Sequence, residues 1–403
     1  MPLKKYSVTL PTIYDKFACK CDTCRNTCCQ KWTIYITRGE YNKLRHRCKS
    51  EKMENFFQRL PRKQATDANY ATVRFTPEGY CPYLTEDYMC GLQQTYGYSI
   101  LPWICKQFPR TPTLFSDDSF RYSLDTGCER VNELLWEEAD TGLHFITEMR
   151  EVVNHFAGLK SGALAEWESD IQNLCIWLMQ NRSYSLSDRL ILLGFAMREL
   201  DEIQKENAPE RIPAWFVKWQ AQTKGNELSE LLAESPGEPY WFVSNVLKTC
   251  YSLYLSNSQS FSEDYQILKN QLSLTDKLNP DTQISELYWD QEQYLMLKER
   301  FYQKFPNVDD FFENYIVLNL IRMGFPFELN SCWDTYTLLV TYYSLTLFLL
   351  IVNDLQSNEA FIDKVTFLSR ETLNLSTFSN LFLDQLKKTN SDSLAHLAIL
   401  VRG

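Results

Sequence analysis

Glycine is scarce in this chain, thirteen in 403 residues, and no two glycines stand in Gly-x-Gly spacing, so a Rossmann-type cofactor loop is not visible. Histidine is scarcer still. His46, His144, His155 and His396 show no ligand spacing, which leaves imidazole-built metal sites without support. No internal repeat and no low-complexity tract is present, which argues against solenoids and disordered arrays. The first residues carry two lysines but no apolar run behind them, so no secretory leader is expected and the reducing cytosol is the expected compartment. After residue 128 even cysteine becomes rare, with only Cys175, Cys250 and Cys332 in the remaining 275 residues.

Against these absences stands one concentration. Cys19, Cys24, Cys28, Cys29, Cys81, Cys90, Cys105 and Cys128 form an ordered series near the start of the chain. In a reducing compartment such crowding of soft ligands points to metal and not to disulfides. Cys24 and Cys28 are four apart and would share a helix face. Cys28 and Cys29 are adjacent, with Cα atoms about 3.8 Å apart, closer than a disulfide prefers. They can serve one metal centre or two neighbouring ones. Several of the others sit beside Pro or Gly, as in Cys81-Pro, Cys90-Gly and Gly127-Cys128, where turns expose backbone N–H groups to a bound thiolate. Thiolate-only ligation suits zinc or iron-sulfur centres, and eight cysteines complete two four-ligand sites, or one site with the rest as packing. Cys175, Cys250 and Cys332 read as buried core cysteines, and Cys21 and Cys48 stay ambiguous.

Charge divides the chain in the same place. Residues 1–63 carry fifteen Lys and Arg against five Asp and Glu, within a total of −10, so the remainder is about −20. Lys20, Arg25 and Lys31 lie among the cysteines, where positive charge offsets a metal-thiolate centre. No recognition motif accompanies the basic residues, so nucleic acid is not the expected partner.

The expected fold is mainly α: an irregular cysteine-rich metal-binding module at residues 1–130 with short strands, then a large helical domain at 131–403 that positions substrate. Strand-like pieces are Trp32 to Thr37, Ala71 to Thr76 and Phe120 to Leu124. Amphipathic stretches run over Val131 to Leu159, Ala163 to Asn181, Ser187 to Asn207, Ile284 to Phe305 and Asp309 to Met323, with a capping-box spacing at Ser185 to Asp188. Leu228 to Pro239 and Asn279 to Gln283 read as loops. Thr335 to Val352 is uncharged for eighteen residues, but it is rich in Thr and Tyr, is flanked by Asp334 and Asp354 and has no Lys or Arg nearby. It reads as a buried helix of a large domain, with no membrane span expected.

The sequence resembles the flagellin lysine-N-methylase family, whose cysteine pattern is shared with iron- or zinc-chelating cysteine-cluster proteins. The resemblance is carried by Phe17-Ala-Cys19, Cys24, Cys28-Cys29-Gln-Lys-Trp32, Cys81-Pro-Tyr-Leu84, Cys90, Cys105 with Phe108-Pro-Arg-Thr111, and Cys128. It implies an S-adenosylmethionine-dependent protein-lysine N-methyltransferase acting on flagellin in the cytoplasm, with a 4Fe-4S type iron-sulfur cluster held by these cysteines. Cys21 is extra relative to the family pattern. The radical-type Cys-x3-Cys-x2-Cys order is absent, because position 31 is Lys31. A neutral lysine amine is already a nucleophile, so the expected cluster is structural or shapes the cofactor site. Trp32, Tyr35, Tyr80, Tyr83, Tyr88, Tyr96, Tyr98 and Trp103 are candidate walls for a cationic sulfonium, or simply packing around the metal. No catalytic base and no S-adenosylmethionine contact is singled out. The runner-up is a non-enzymatic iron- or zinc-binding protein, followed by a nucleic-acid-binding zinc protein.

Overall fold

The computed structural model describes residues 4–30, 34–48, 56–152, 158–222, 270, 275–278, 285–288, 291–373 and 376–402. The fold is mainly α. Trp32, His155, Cys250 and the expected loops at Leu228 to Pro239 and Asn279 to Gln283 lie outside the described residues.

A four-stranded sheet runs in the order Arg110–Leu114, Phe120–Leu124, Lys5–Pro11, Phe145–Glu151. The strand Lys5–Pro11 lies parallel to Phe120–Leu124 and antiparallel to Phe145–Glu151, with Lys5 opposite Glu151 and Pro11 opposite Phe145. Alternation explains it: Tyr6, Val8 and Leu10 are buried while Lys5 and Ser7 are exposed. The amphipathic stretch Val131 to Leu159 is therefore not one helix. Its helix is Glu129–Glu137; the chain turns at Gly142, at φ +74°, and the residues after it pair with the N-terminal strand. The stretch from Ile284 likewise opens with the strand Ser285–Tyr288, paired with Thr275–Leu278, before the helix Gln291–Lys304 begins.

A second, three-stranded sheet of Tyr35–Ile36, Ala71–Val73 and Phe57–Arg59 packs on the helix Arg38–Arg47. That helix starts from a capping box: Thr37 Oγ1 accepts the Glu40 amide and the Glu40 carboxylate accepts the Thr37 amide. Ile36, Tyr41, Leu44, Phe57 and Leu92 close a small separate core.

The remaining helices, chiefly Glu168–Met179, Leu186–Lys205, Val308–Arg322, Cys332–Val352, Asn358–Leu373 and Leu394–Arg402, share one large core. Ser185 Oγ caps its helix by accepting the Asp188 amide at 3.2 Å, as the spacing predicts. Ile13, Phe17 and Leu124 belong to this core as well. One core and one sheet thus draw on both sides of residue 130.

Cys332–Val352 is long and apolar enough to cross a membrane, yet 94% of its apolar window is buried inside the protein. Its hydroxyls explain how: Thr335, Thr337 and Thr341 donate to the carbonyls of Ser331, Trp333 and Thr337 at 2.7–3.0 Å, and Tyr336 Oη donates to the Leu190 carbonyl at 3.0 Å. Gly194 makes the crossing close, since a Cβ there would stand 2.4 Å from Tyr336 Oη.

Candidate functional site

The cysteine loop that follows Phe17 is docked on the start of the Glu129–Glu137 helix. Glu129 is fully buried and is the centre of that docking. It accepts the Asn26 amide at 2.8 Å, the Lys20 ammonium at 2.5 Å and the Cys24 thiol at 3.8 Å, with Arg25 at 3.4 Å. Burial opposes its ionisation, but Lys20, the Asn26 amide and Arg25 outweigh it and hold the carboxyl below its ordinary value. A carboxylate in the first turn also suits the helix dipole.

A second clamp comes from 240 residues further along. Arg370, on Asn358–Leu373, donates to the carbonyls of Gly127 at 2.6 Å, Thr27 at 2.9 Å and Asn26 at 2.5 Å. Asp363, on the same helix, accepts Arg25 Nε and Asn26 Nδ2, each at 3.0 Å. One helix of the large core therefore grips both the Cys24–Cys28 loop and the turn before Cys128.

Cys128 is the N-cap residue of Glu129–Glu137; its carbonyl accepts the Val131 amide at 3.1 Å, and burial pushes its thiol up to about 12. Burial followed by Glu129 pushes the Cys24 thiol up to about 11. The Cys28 thiol donates to Cys29, which raises Cys28 well above its ordinary value, with burial, Cys128 and Cys19 adding to the effect. Cys19, Cys24, Cys28 and Cys128 thus face one another electrostatically.

Cys29 turns to a different neighbourhood. Its carbonyl accepts the Cys81 amide at 2.8 Å, and Gln30 bridges Tyr80. The donated Cys28 thiol, with Thr27 and Arg370, lowers Cys29 to about 7 despite burial. Burial pushes the Cys81 thiol up to about 12. Cys90 is the N-cap residue of the helix Gly91–Tyr96, and burial raises its thiol above its ordinary value. Leu84 bridges Cys90, and Gly91 allows a close approach there, since a Cβ would meet the Tyr83 carbonyl at 3.1 Å. Cys105 lies on the short helix Trp103–Gln107, whose first amide donates to Glu40 at 2.5 Å. Cys105 presents an exposed edge, yet its thiol is raised first by desolvation and then by Cys29, Cys81 and Cys90.

By the thiols that act on one another electrostatically, the eight expected ligands divide into Cys19, Cys24, Cys28 and Cys128 and into Cys29, Cys81, Cys90 and Cys105. Burial favours the neutral thiol at Cys24, Cys81, Cys90, Cys105 and Cys128, while Cys29 is shifted toward the thiolate. Among the described residues, no three His, Cys, Asp or Glu side chains converge closely enough to hold a single metal ion.

The region 172–400 matches the sequence model of the FliB lysine N-methylase C-terminal domain. That is more than half of the chain. The chain belongs to the FliB lysine N-methylase family. It is similar to a lysine-N-methylase of Salmonella typhimurium (strain LT2), 26% identical over 140 residues that cover 34% of either chain. It is also similar to the flagellar biosynthetic protein FliU of Salmonella muenchen, 26% identical over 140 residues covering 34% of this chain and 82% of that one. The chain spans about a third of the length of the lysine-N-methylases it matches, at 34%. No solved structure matches. The family match covers the helix that carries Asp363 and Arg370 and begins beyond the last of the eight cysteines.

Other sequence expectations resolve residue by residue. Cys21 is exposed beside Cys19, at φ +51°, and its thiol is raised by burial and then by Cys19. Cys48, Cys175 and Cys332 are buried core residues, Cys48 within the small core. Tyr35, Tyr88 and Tyr98 are exposed, Tyr83 stacks on Phe56 at 4.3 Å, and Tyr96 packs on the small core. Glu129 and Arg370 were not singled out from sequence; Glu129 adjoins Cys128, but nothing local marks Arg370.

Proposed function

We propose that the chain is a protein-lysine N-methyltransferase that moves methyl groups from S-adenosylmethionine to lysines of flagellin in the cytoplasm. The observation that carries this reading is the family match over residues 172–400, in which the helix bearing Arg370 and Asp363 also holds the cysteine loop. A methylase domain and a thiol-rich module built into each other support one working unit, not a separate metal store.

We further infer an iron-sulfur centre on the cysteines, with Cys19, Cys24, Cys28 and Cys128 as one ligand set and Cys29, Cys81, Cys90 and Cys105 as the other. The positive charge of Lys20, Arg25 and Arg370 around the Cys24–Cys28 loop supports an anionic thiolate centre. Such a centre would supply a rigid, charged anchor between module and helices. The sulfonium donor supplies the electrophilic methyl group, and the protein has to desolvate, deprotonate and align the lysine amine.

The test is anaerobic purification, iron analysis and visible spectroscopy, followed by incubation with flagellin and S-adenosylmethionine. Mass steps of about fourteen daltons, one CH₂ per transfer, are expected on flagellin lysines. An iron-bearing protein that never produces them would favour the non-enzymatic metal-binding reading.

A further inference from the structure

The large core contains a cavity of about 180 Å³ between the helices Leu186–Lys205, Gln291–Lys304, Cys332–Val352 and Leu394–Arg402 and the first turn of Val308–Arg322. Tyr294, Lys298 and Tyr302 reach it from one helix at spacings of four, which puts them on a single face. Tyr343 and Ser344 line it from the buried helix opposite, and Asp309 closes one side. Tyr294 stacks on Phe348 at 5.4 Å, and Tyr302 lines the cavity together with Asp309. Ser344 Oγ is buried and makes no hydrogen bond to any described residue. A polar group left so in a core calls for a guest or a water.

Size restricts the guest. Pockets for whole cofactors and drug-sized ligands hold about 300–1,000 Å³, so this space admits one linear side chain and not an entire nucleoside. Chemistry restricts it further, since tyrosine faces and a carboxylate together select a cation. We propose that this cavity receives the side chain of a substrate lysine and that Asp309 takes the proton from its ammonium. The proposal rests on the methyltransferase reading.

The surroundings suit that task. Burial raises Asp309 above its ordinary value, so its carboxylate is a better base than an exposed one. Lys298 also lines the cavity; its amine donates to the Arg402 carbonyl at 3.2 Å, and its attraction partly offsets the rise at Asp309. The Arg402 guanidinium is turned to Asp188 at 3.0 Å. In the transfer itself, the ammonium N–H proton passes to an Asp309 oxygen and the freed lone pair attacks the methyl carbon of the sulfonium donor. The carbon–sulfur bond breaks with its electron pair left on sulfur, giving a methylammonium and a neutral thioether.

Asp309 also sits in the first turn of its helix, where a carboxylate stabilises the dipole, so the test must separate chemistry from structure. Full-length protein is titrated with n-butylammonium and with the neutral n-butanol, followed by ligand-observed NMR, for wild type, Asp309→Asn and Ser344→Met. Wild type is expected to prefer the cation, Asp309→Asn to weaken it about tenfold, a change of about 1.4 kcal/mol, and Ser344→Met to fill the space and abolish binding. In flagellin methylation Asp309→Asn is expected to lower kcat by about 10²–10⁴ while its melting temperature moves little. Absence of cation preference in wild type, or unchanged kcat and KM in Asp309→Asn, overturns the proposal and leaves the methyltransferase reading standing. Cation binding that follows the variants in a protein that methylates no flagellin keeps the lysine pocket and overturns the methyltransferase reading. If Ser344→Met does not fold, Asp309→Asn decides alone.

Discussion

Among the described residues, the small core is closed by ten buried side chains, including Ile36, Tyr41, Leu44 and Phe57, whereas the large core draws on residues from Ile13 to Val401. Both carry polar chemistry, but they handle it differently. In the large core buried polar groups are mostly paired with one another: Arg189 and Arg182 with Glu313, Arg121 with Gln172 and Asn173, the threonines of Cys332–Val352 with carbonyls one turn back. In the small module burial raises the thiols and Cys28 donates to Cys29, around a core too small to fix so much irregular chain by burial alone. Metal ligation would supply folding energy to such a module. The large core needs no such help and can keep a cavity open.

The sharpest way to break this comparison is at Glu313. Its side chain is 2% exposed and accepts Arg189 Nη1 at 2.5 Å and Arg182 at 2.9 and 3.1 Å. Glu313→Ala leaves Arg189 buried without its counter-charge, at a cost of about 3–5 kcal/mol. Urea unfolding should register that loss over the helical core, while iron bound per folded molecule stays constant. Iron lost without a change in unfolding midpoint would mean that the module, and not the helices, depends on this ion pair.

A smaller and more local effect is expected from the cysteines. Cys90→Ser should remove one ligand set and Cys128→Ser the other, each lowering iron content while leaving part of it. Amide exchange should then diverge. Cys90→Ser is expected to expose the amides around Tyr41, Leu44 and Ala71, because that set closes the small core. Cys128→Ser should instead loosen residues 24–29, which Glu129 and Arg370 otherwise hold. Complete loss of iron in both variants would mean one centre shared by all eight.

Much of this was legible in the sequence, and what was missed shares a cause. The eight cysteines, the helical second half, the Ser185 cap and the buried reading of Thr335 to Val352 rest on composition and short spacings, which report local chemistry. The strand Phe145–Glu151 was missed because its amphipathic neighbours share its polarity and its partner, Lys5–Pro11, is some 140 residues away in sequence. Arg370 and Asp363 were missed for the same reason: their partners, residues 25–27 and 127, are set by topology and not by any motif. The cavity gathers Tyr294, Lys298, Tyr302, Asp309 and Tyr343 from three helices, each of which alone reads as ordinary core or surface.

The smallest expected effect belongs to Asp201, and it tests whether charge or shape joins two helices of the large core. Asp201 is 2% exposed, and it accepts Ser331 Oγ at 2.7 Å, the Trp333 amide at 3.2 Å and Lys205 Nζ at 2.6 Å, so it ties the helix Leu186–Lys205 to the start of Cys332–Val352. Burial works against its charge, but Lys205, Ser331 and the Trp333 amide prevail and depress its folded value. A depressed carboxyl contributes stability above its unfolded value, near 4, and loses it as pH falls through the folded value. Asp201→Ala should therefore cost about 1–2 kcal/mol at neutral pH by removing hydrogen bonds to a charged group. The difference from wild type in urea midpoint should shrink as the pH is taken below 4. A difference that stays constant down to pH 2.5 would assign the join to packing, and the ion pairs of the large core would then stabilise it less than its geometry suggests.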